Sequence, residues 1–168
     1  RFDVSNFEEG YYYGQLVIES NSFGFNASTY INLEALGYQS YFDSVNPTGL
    51  PYSIIINDVN IDNHGLQNGD EIGFFDTDAT GEEICVGSFR YSNQDYPIQT
   101  VVWEADTDFN LSGFNTGNNI NIKLWASTYE TLIELVPNIT INQGDGTYGN
   151  GEFSVLSLEV MSGLNPVM

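Results

Sequence analysis

Residues 70–91 read DEIGFFDTDATGEEICVGSFRY. The first half carries Ile72, Phe74 and Phe75, and the second carries Cys85, Val86, Phe89 and Tyr91. Both halves are rich in side chains that fit a pleated, half-buried surface, and both are bounded by Gly or Asp, as strands require. Between them Thr77-Asp78-Ala79-Thr80-Gly81-Glu82 is polar, closed by glycine, and continues neither strand. The stretch reads as a β-hairpin at the centre of an all-β domain.

The flanks repeat the pattern. Residues 119–126, NINIKLWA, alternate cleanly: Ile120, Ile122 and Leu124 on one face, Asn121, Lys123 and Trp125 on the other. Residues 98–104 (IQTVVWE), 52–59 (YSIIINDV) and 152–160 (EFSVLSLEV) are further strands, and residues 38–45 (YQSYFDSV) are strand-like. Asn46-Pro47-Thr48-Gly49 is a turn by residue chemistry. Residues 132–141 are a strand pair or a bent strand interrupted by Pro137. Residues 60–69, 105–118 and 143–151 read as loops, the second with Phe109, Leu111 and Phe114 embedded in it. The alternating runs and regularly spaced turns predict nine or ten short strands with almost no helical period. That describes a two-sheet antiparallel β-sandwich, immunoglobulin- or jelly-roll-like.

Ahead of the sandwich lies a segment it does not need. Residues 1–10 are an extended lead-in, and residues 11–20, YYYGQLVIES, are a strong strand. Residues 23–36 alternate in part, while their tail INLEAL suits either a strand or a helical turn. The predicted organisation is an N-terminal strand arm over 1–40, a sandwich over 41–160 and a short tail over 161–168.

Length and composition bound the function. A chain of 168 residues with 41% hydrophobic side chains is one domain, or one domain and an arm, with a substantial core. Arg1, Arg90 and Lys123 stand against 23 acids, for a net charge of −20. Binding a polyanion needs clustered Lys and Arg, so a nucleic-acid or anionic-membrane partner is excluded. No apolar run is long enough to insert in a membrane. Cys85 is the only cysteine, so no intrachain disulfide forms, and its apolar strand suggests a buried thiol. The chain begins at Arg1 without a signal peptide; a processed, exported product would look so, as would an arbitrary start.

Several groups invite chemistry. Asp76, Asp78, Thr80 and Glu82 offer oxygens at alternate positions around a glycine, which suits a hard cation such as Ca²⁺. The twelfth position of an EF-hand loop requires Glu, and here it is Gly87. Asp106, Asp108 and Asn110 form a weaker set of the same kind. His64, the only histidine, has no Ser or Cys motif beside it, and no catalytic residue is assigned. Trp103 and Trp125 offer flat faces for stacking on a sugar, as do several tyrosines, although aromatic rings equally serve cores and interfaces. Asn26, Asn110 and Asn138 each open an N-x-S/T sequon.

Residues 41–160 resemble a β-sandwich module common in secreted and cell-surface proteins of Bacteroidota and related bacteria, including cargo of the type IX secretion route. The resemblance rests on Thr48-Gly49-Leu50-Pro51-Tyr52, Gly69-Asp70-Glu71-Ile72-Gly73-Phe74-Phe75-Asp76 and Ile84-Cys85-Val86-Gly87. It continues through Gly113-Phe114, Gly117-Asn118 and Ile122-Lys123-Leu124-Trp125. It implies an extracellular, non-catalytic module used in adhesion, glycan contact or surface architecture. Asp43-Ser44-Val45 is similar to the short O-glycosylation signal of those bacteria, with sugar on Ser44. The acidic turn after Asp76 is longer than the module's, and residues 1–40 lie outside it.

The functional expectation is a secreted, non-enzymatic subunit that polymerises into a surface fibre by strand exchange. Tyr11, Tyr12, Tyr13, Leu16, Val17 and Ile18 of the N-terminal strand, the C-terminal strand, or both, would join one copy to the next. The alternative expectation is a carbohydrate-binding module.

Overall fold

The computed structural model describes residues 10–20, 27–37, 40–126 and 134–161. It divides into two compact units, Arg1–Ser40 and Tyr41–Met168. In the first, β1 (Gly10–Ser20) and β2 (Ala27–Gly37) pair antiparallel along their whole length, from Gly10 opposite Gly37 to Ser20 opposite Ala27. They make a two-stranded sheet of their own. The expected arm strand is therefore half of a hairpin, and the INLEAL tail is strand.

The second unit is a β-sandwich. Its strands are β3 (Pro51–Ile61), β4 (Glu71–Thr77), β5 (Glu83–Arg90), β6 (Ile98–Trp103), β7 (Asn121–Trp125), β8 (Glu134–Leu135), β9 (Asn138–Gln143) and β10 (Phe153–Val160). One sheet has the order β6-β3-β10-β9 and the other β5-β4-β7-β8. No helix occurs among the described residues, and so none that is long and apolar enough to cross a membrane.

Alternation decides which side chains face inward. In β6 Ile98, Thr100 and Val102 are buried while Gln99 and Val101 are exposed; in β7 Ile122 and Leu124 are buried. Strand β3 begins with the same period, burying Tyr52, Ile54 and Ile56, then changes parity to bury Val59 and Ile61. The cause is a bulge: Leu156 pairs with Ile56 but Ser157 pairs with Asp58, which leaves Asn57 over and returns the aliphatic side chains to the core.

The all-β two-sheet sandwich expected from the sequence is what forms, and its strands pair antiparallel except that β10 runs parallel to β3. One expectation is corrected. Residues 40–50 form no strand, only an isolated bridge of Ser44 to Cys85.

The loops supply two of the three largest fully buried side chains. Phe114 and Tyr148, both essentially inaccessible, stack with ring centroids 4.9 Å apart, and Tyr52 meets Phe114 edge-on at 5.9 Å. The Tyr148 hydroxyl donates to the Phe75 carbonyl at 3.0 Å, and Tyr52 shares a 3.0 Å hydrogen bond with Ser154. The polar ends of both rings are thereby satisfied inside the core, as buried hydroxyls require.

On one side the two sheets close on each other. A Cβ on Gly87 of β5 would lie 2.7 Å from the Val101 carbonyl of β6, so these edges meet where only glycine fits. On the other side β8 and β9 are joined by Val136 and Pro137 alone. Proline stops one strand and lets the chain change sheets.

Candidate functional site

Strand β4 is buried on both faces from Glu71 to Asp76. Ile72 and Phe74 point into the sandwich core, while Glu71, Gly73 and Phe75 face outward and are covered by residues 41–45. The Glu71 carboxylate holds this strap by accepting the backbone N–H groups of Tyr41 and Phe42, each at 2.9 Å. The Val45 N–H donates to the Cys85 carbonyl at 2.9 Å. Beneath the strap Phe42, Phe75 and Cys85 make a second, smaller core, with Tyr41 and Trp125 packed on it. A Cβ on Gly73 would lie 2.7–2.8 Å from the Phe42 and Phe75 rings, so the strap seats only because this position has no side chain. An open groove of about 410 Å³ borders the strap, and Ser44, Glu83, Ile84 and Cys85 are among its walls.

Lys123 is fully engaged here. Its ammonium pairs with Glu83 and lies 4.6 Å from the Phe75 ring centroid, a cation–π distance. Cys85 is buried, its thiol donates to the Gly87 carbonyl at 3.2 Å, and burial pushes its pKa up. A thiol held protonated is a poor nucleophile. His64 is exposed, in a tight turn where its backbone bonds with that of Ile61.

The aromatic platform is divided. Trp125 follows Asn121 and Lys123 onto the outer face of one sheet; Trp103 follows Gln99 and Val101 onto the outer face of the other. The two indoles therefore cannot grip one sugar. Tyr41 also stacks on Trp125 at 5.1 Å with an 11° interplanar angle, which occupies one face of that ring.

The acidic turn is self-contained. Asp76 is buried, and both its oxygens accept from amide groups: the Asn118 side chain at 2.9 and 3.1 Å and the Asn115 N–H at 2.7 Å. Asp78 is half-buried, and its Oδ1 accepts from the Thr80 hydroxyl, the Thr80 N–H and the Glu82 N–H. Its pKa is lowered, chiefly by the Thr80 hydroxyl. Thr80 and Glu82 thus contribute as donors to Asp78, and Asp76 serves the sandwich end. Among the described residues no three His, Cys, Asp or Glu side chains are grouped to hold a metal ion. Asp106 behaves similarly, accepting from the Asp108 and Phe109 N–H groups, and Asn110 completes its turn at φ 55°. Asp145 repeats the Asp78 device with Thr147, Asp-x-Thr in both places.

Ser44, Asn110 and Asn138 are exposed and sterically open to modification; Asn26 lies outside the described residues. Of the strands expected to link copies, β10 sits between β3 and β9 with both its edges used in its own sheet, so it is not free to be donated. Tyr11, Tyr12, Tyr13, Leu16, Val17 and Ile18 lie in β1, opposite Leu36, Ala35, Glu34, Ile31, Tyr30 and Thr29 of β2. That uses one edge of β1.

Sequence reasoning missed the buried carboxylates of Glu71 and Asp76 as structural acceptors. A signal was present for Glu71: it shares strand parity with Gly73 and Phe75, so a face carrying a glycine and a phenyl ring has something packed on it. No family model, no curated protein and no solved structure matches this chain.

Proposed function

We propose that this protein is an extracellular, non-enzymatic structural or adhesive subunit that joins copies of itself by strand addition, as the unit of a surface fibre. The observation that carries the reading is the β1–β2 pair, eleven residues per strand, which among the described residues makes a sheet of two strands. A two-stranded sheet is marginal in water, and each outer edge offers a row of backbone donors and acceptors to a further strand. Residues 10–18, GYYYGQLVI, carry no charge in a chain of net charge −20. A neutral ribbon is where two such chains approach at least electrostatic cost. Strand addition between copies is head-to-tail, and a contact of that kind that does not close gives a filament.

The resemblance of residues 41–160 to secreted bacterial modules supports an extracellular setting, in which exposed Ser44 and Asn110 are positions for glycans. The protonated, buried Cys85 and the exposed His64 support a non-catalytic role. Glycan stacking on Trp125 is the weaker reading, because Tyr41 already covers that ring. Negative-stain microscopy of the intact protein tests the proposal: filaments or linear oligomers are expected, and a field of dispersed single particles at every concentration contradicts it.

A further inference from the structure

We infer that the acceptor for the β1 edge is strand β9 of a second copy. The inference rests on the association proposed above and deepens it by naming the surface that receives the strand. Each sheet of the sandwich has two terminal strands: β6 and β9 in one, β5 and β8 in the other. Three are poor acceptors. The β6 edge meets β5 backbone-to-backbone, as the Gly87 approach to Val101 shows. The β5 edge is engaged at Cys85 by the bridge to Ser44 and the Val45 N–H. Strand β8 is seen over only two residues, Glu134 and Leu135, among the described residues, which is too short a stretch to seat an added strand.

Strand β9 differs in each respect. It has six residues, and five of them, Asn138, Thr140, Ile141, Asn142 and Gln143, are exposed. Its antiparallel bonds to β10 use one edge only, and it ends its sheet. Ile141 is 46% accessible and Val136, just before the strand, 75%, so apolar surface accompanies the backbone edge. Residues 136–144, VPNITINQG, carry no charge. Natural edge strands are commonly protected by lysine, bulges or inward-pointing charges; this one carries no charge, and its bulge, at Asn142, falls near its C-terminal end and leaves Asn138 to Ile141 in regular register. The uncharged edge and the uncharged residues 10–18 of β1 match in a molecule whose net charge of −20 makes its copies repel. The pairing makes backbone hydrogen bonds along the edge and brings the added strand beside the exposed Ile141.

The test uses the intact chain in two ways. Amide hydrogen exchange is compared between dilute and associated protein: residues 138–143 are expected to gain protection, and protection gained only elsewhere overturns the assignment. Independently, Ile141→Glu with Gln143→Glu places charge on exposed positions of the edge, and Gln99→Glu with Val101→Glu adds the same charge at exposed positions of β6. The first pair is expected to raise the concentration needed for association by about tenfold or more, the second by much less. Equal effects of the two pairs, or none from the first, contradict a β9 acceptor while leaving self-association intact. Failure of the unmodified protein to associate removes both.

Discussion

The buried carboxylate of Glu71 accepts the backbone N–H of Phe42 at 2.9 Å through one oxygen and that of Tyr41 at 2.9 Å through the other. One side chain thus fixes the strap that covers the outer face of β4 and creates the second core. Glu71→Ala leaves two N–H groups without their acceptor, at a cost of about 2–4 kcal/mol. Glu71→Gln, which retains one acceptor oxygen, is expected to cost less. Urea unfolding followed by tryptophan fluorescence measures both, since Trp125 packs on the strap; equal stability of Glu71→Ala and the parent protein contradicts this role.

Gly73 and Gly87 are both positions without room for a side chain, but their neighbours differ. A Cβ at Gly73 meets the rings of Phe42 and Phe75, whereas one at Gly87 meets the backbone of Val101 and Val102. Rings on a surface strap can shift, while two packed strands cannot part without opening the main core. Gly73→Ala is expected to cost roughly 1–3 kcal/mol, in the range of core overpacking, and Gly87→Ala more. The order is checked by thermal melts of the two variants, and the reverse order is inconsistent with the packing described.

The Asp-x-Thr turns at Asp78 and Asp145 set an acid dependence. Both carboxyls are held below their ordinary value of 3.8, in each case chiefly by the hydroxyl of the threonine two residues on. A pKa lowered in the folded state means the carboxylate's contribution is complete above the unfolded value of about 3.9 and is lost as pH falls through the folded one. These turns therefore add no pH dependence near neutrality and loosen only in strong acid. Thr80→Val removes the hydroxyl, and carboxyl-carbon NMR titration should show the Asp78 midpoint rising toward the ordinary value while Asp145 stays put. An unmoved Asp78 contradicts the assignment.

The outline of the sandwich was legible because β4, β5, β6 and β7 each carry enough aliphatic and aromatic side chains to declare themselves. Alternation also placed Lys123 and Trp125 on a common outer face. What a period of two does not report is the identity of a strand's neighbour, so the parallel β3–β10 pair was hidden. The Asn57 bulge was hidden for a related reason: three consecutive isoleucines fit either parity. The run YQSYFDSV resembles a strand because Tyr41 and Phe42 are apolar, yet they are apolar to cover a sheet face, not to join a sheet. The cation reading of Asp76 and Asp78 followed from spacing alone, and spacing does not show that asparagine groups donate to both oxygens of Asp76 or that Thr80 donates to Oδ1 of Asp78.

Addition or removal of calcium is accordingly expected to leave the melting temperature unchanged. A specific site at a hundredfold excess over its dissociation constant would stabilise by about 2.7 kcal/mol, several degrees for a domain of this size. Differential scanning fluorimetry with millimolar Ca²⁺ and with a chelator resolves a shift of that size, and observing one contradicts the closed-turn description.

The central claim is that the β1–β2 pair joins one copy to another. Sedimentation velocity tests it most directly, comparing the intact chain with a chain starting at Tyr41, over a wide concentration range and at two salt concentrations. The account predicts that the intact chain forms concentration-dependent oligomers, more strongly at high salt because screening reduces the repulsion of −20 per copy, and that the shortened chain stays monomeric. An intact chain that sediments as a monomer throughout, or a shortened chain that associates just as well, contradicts it.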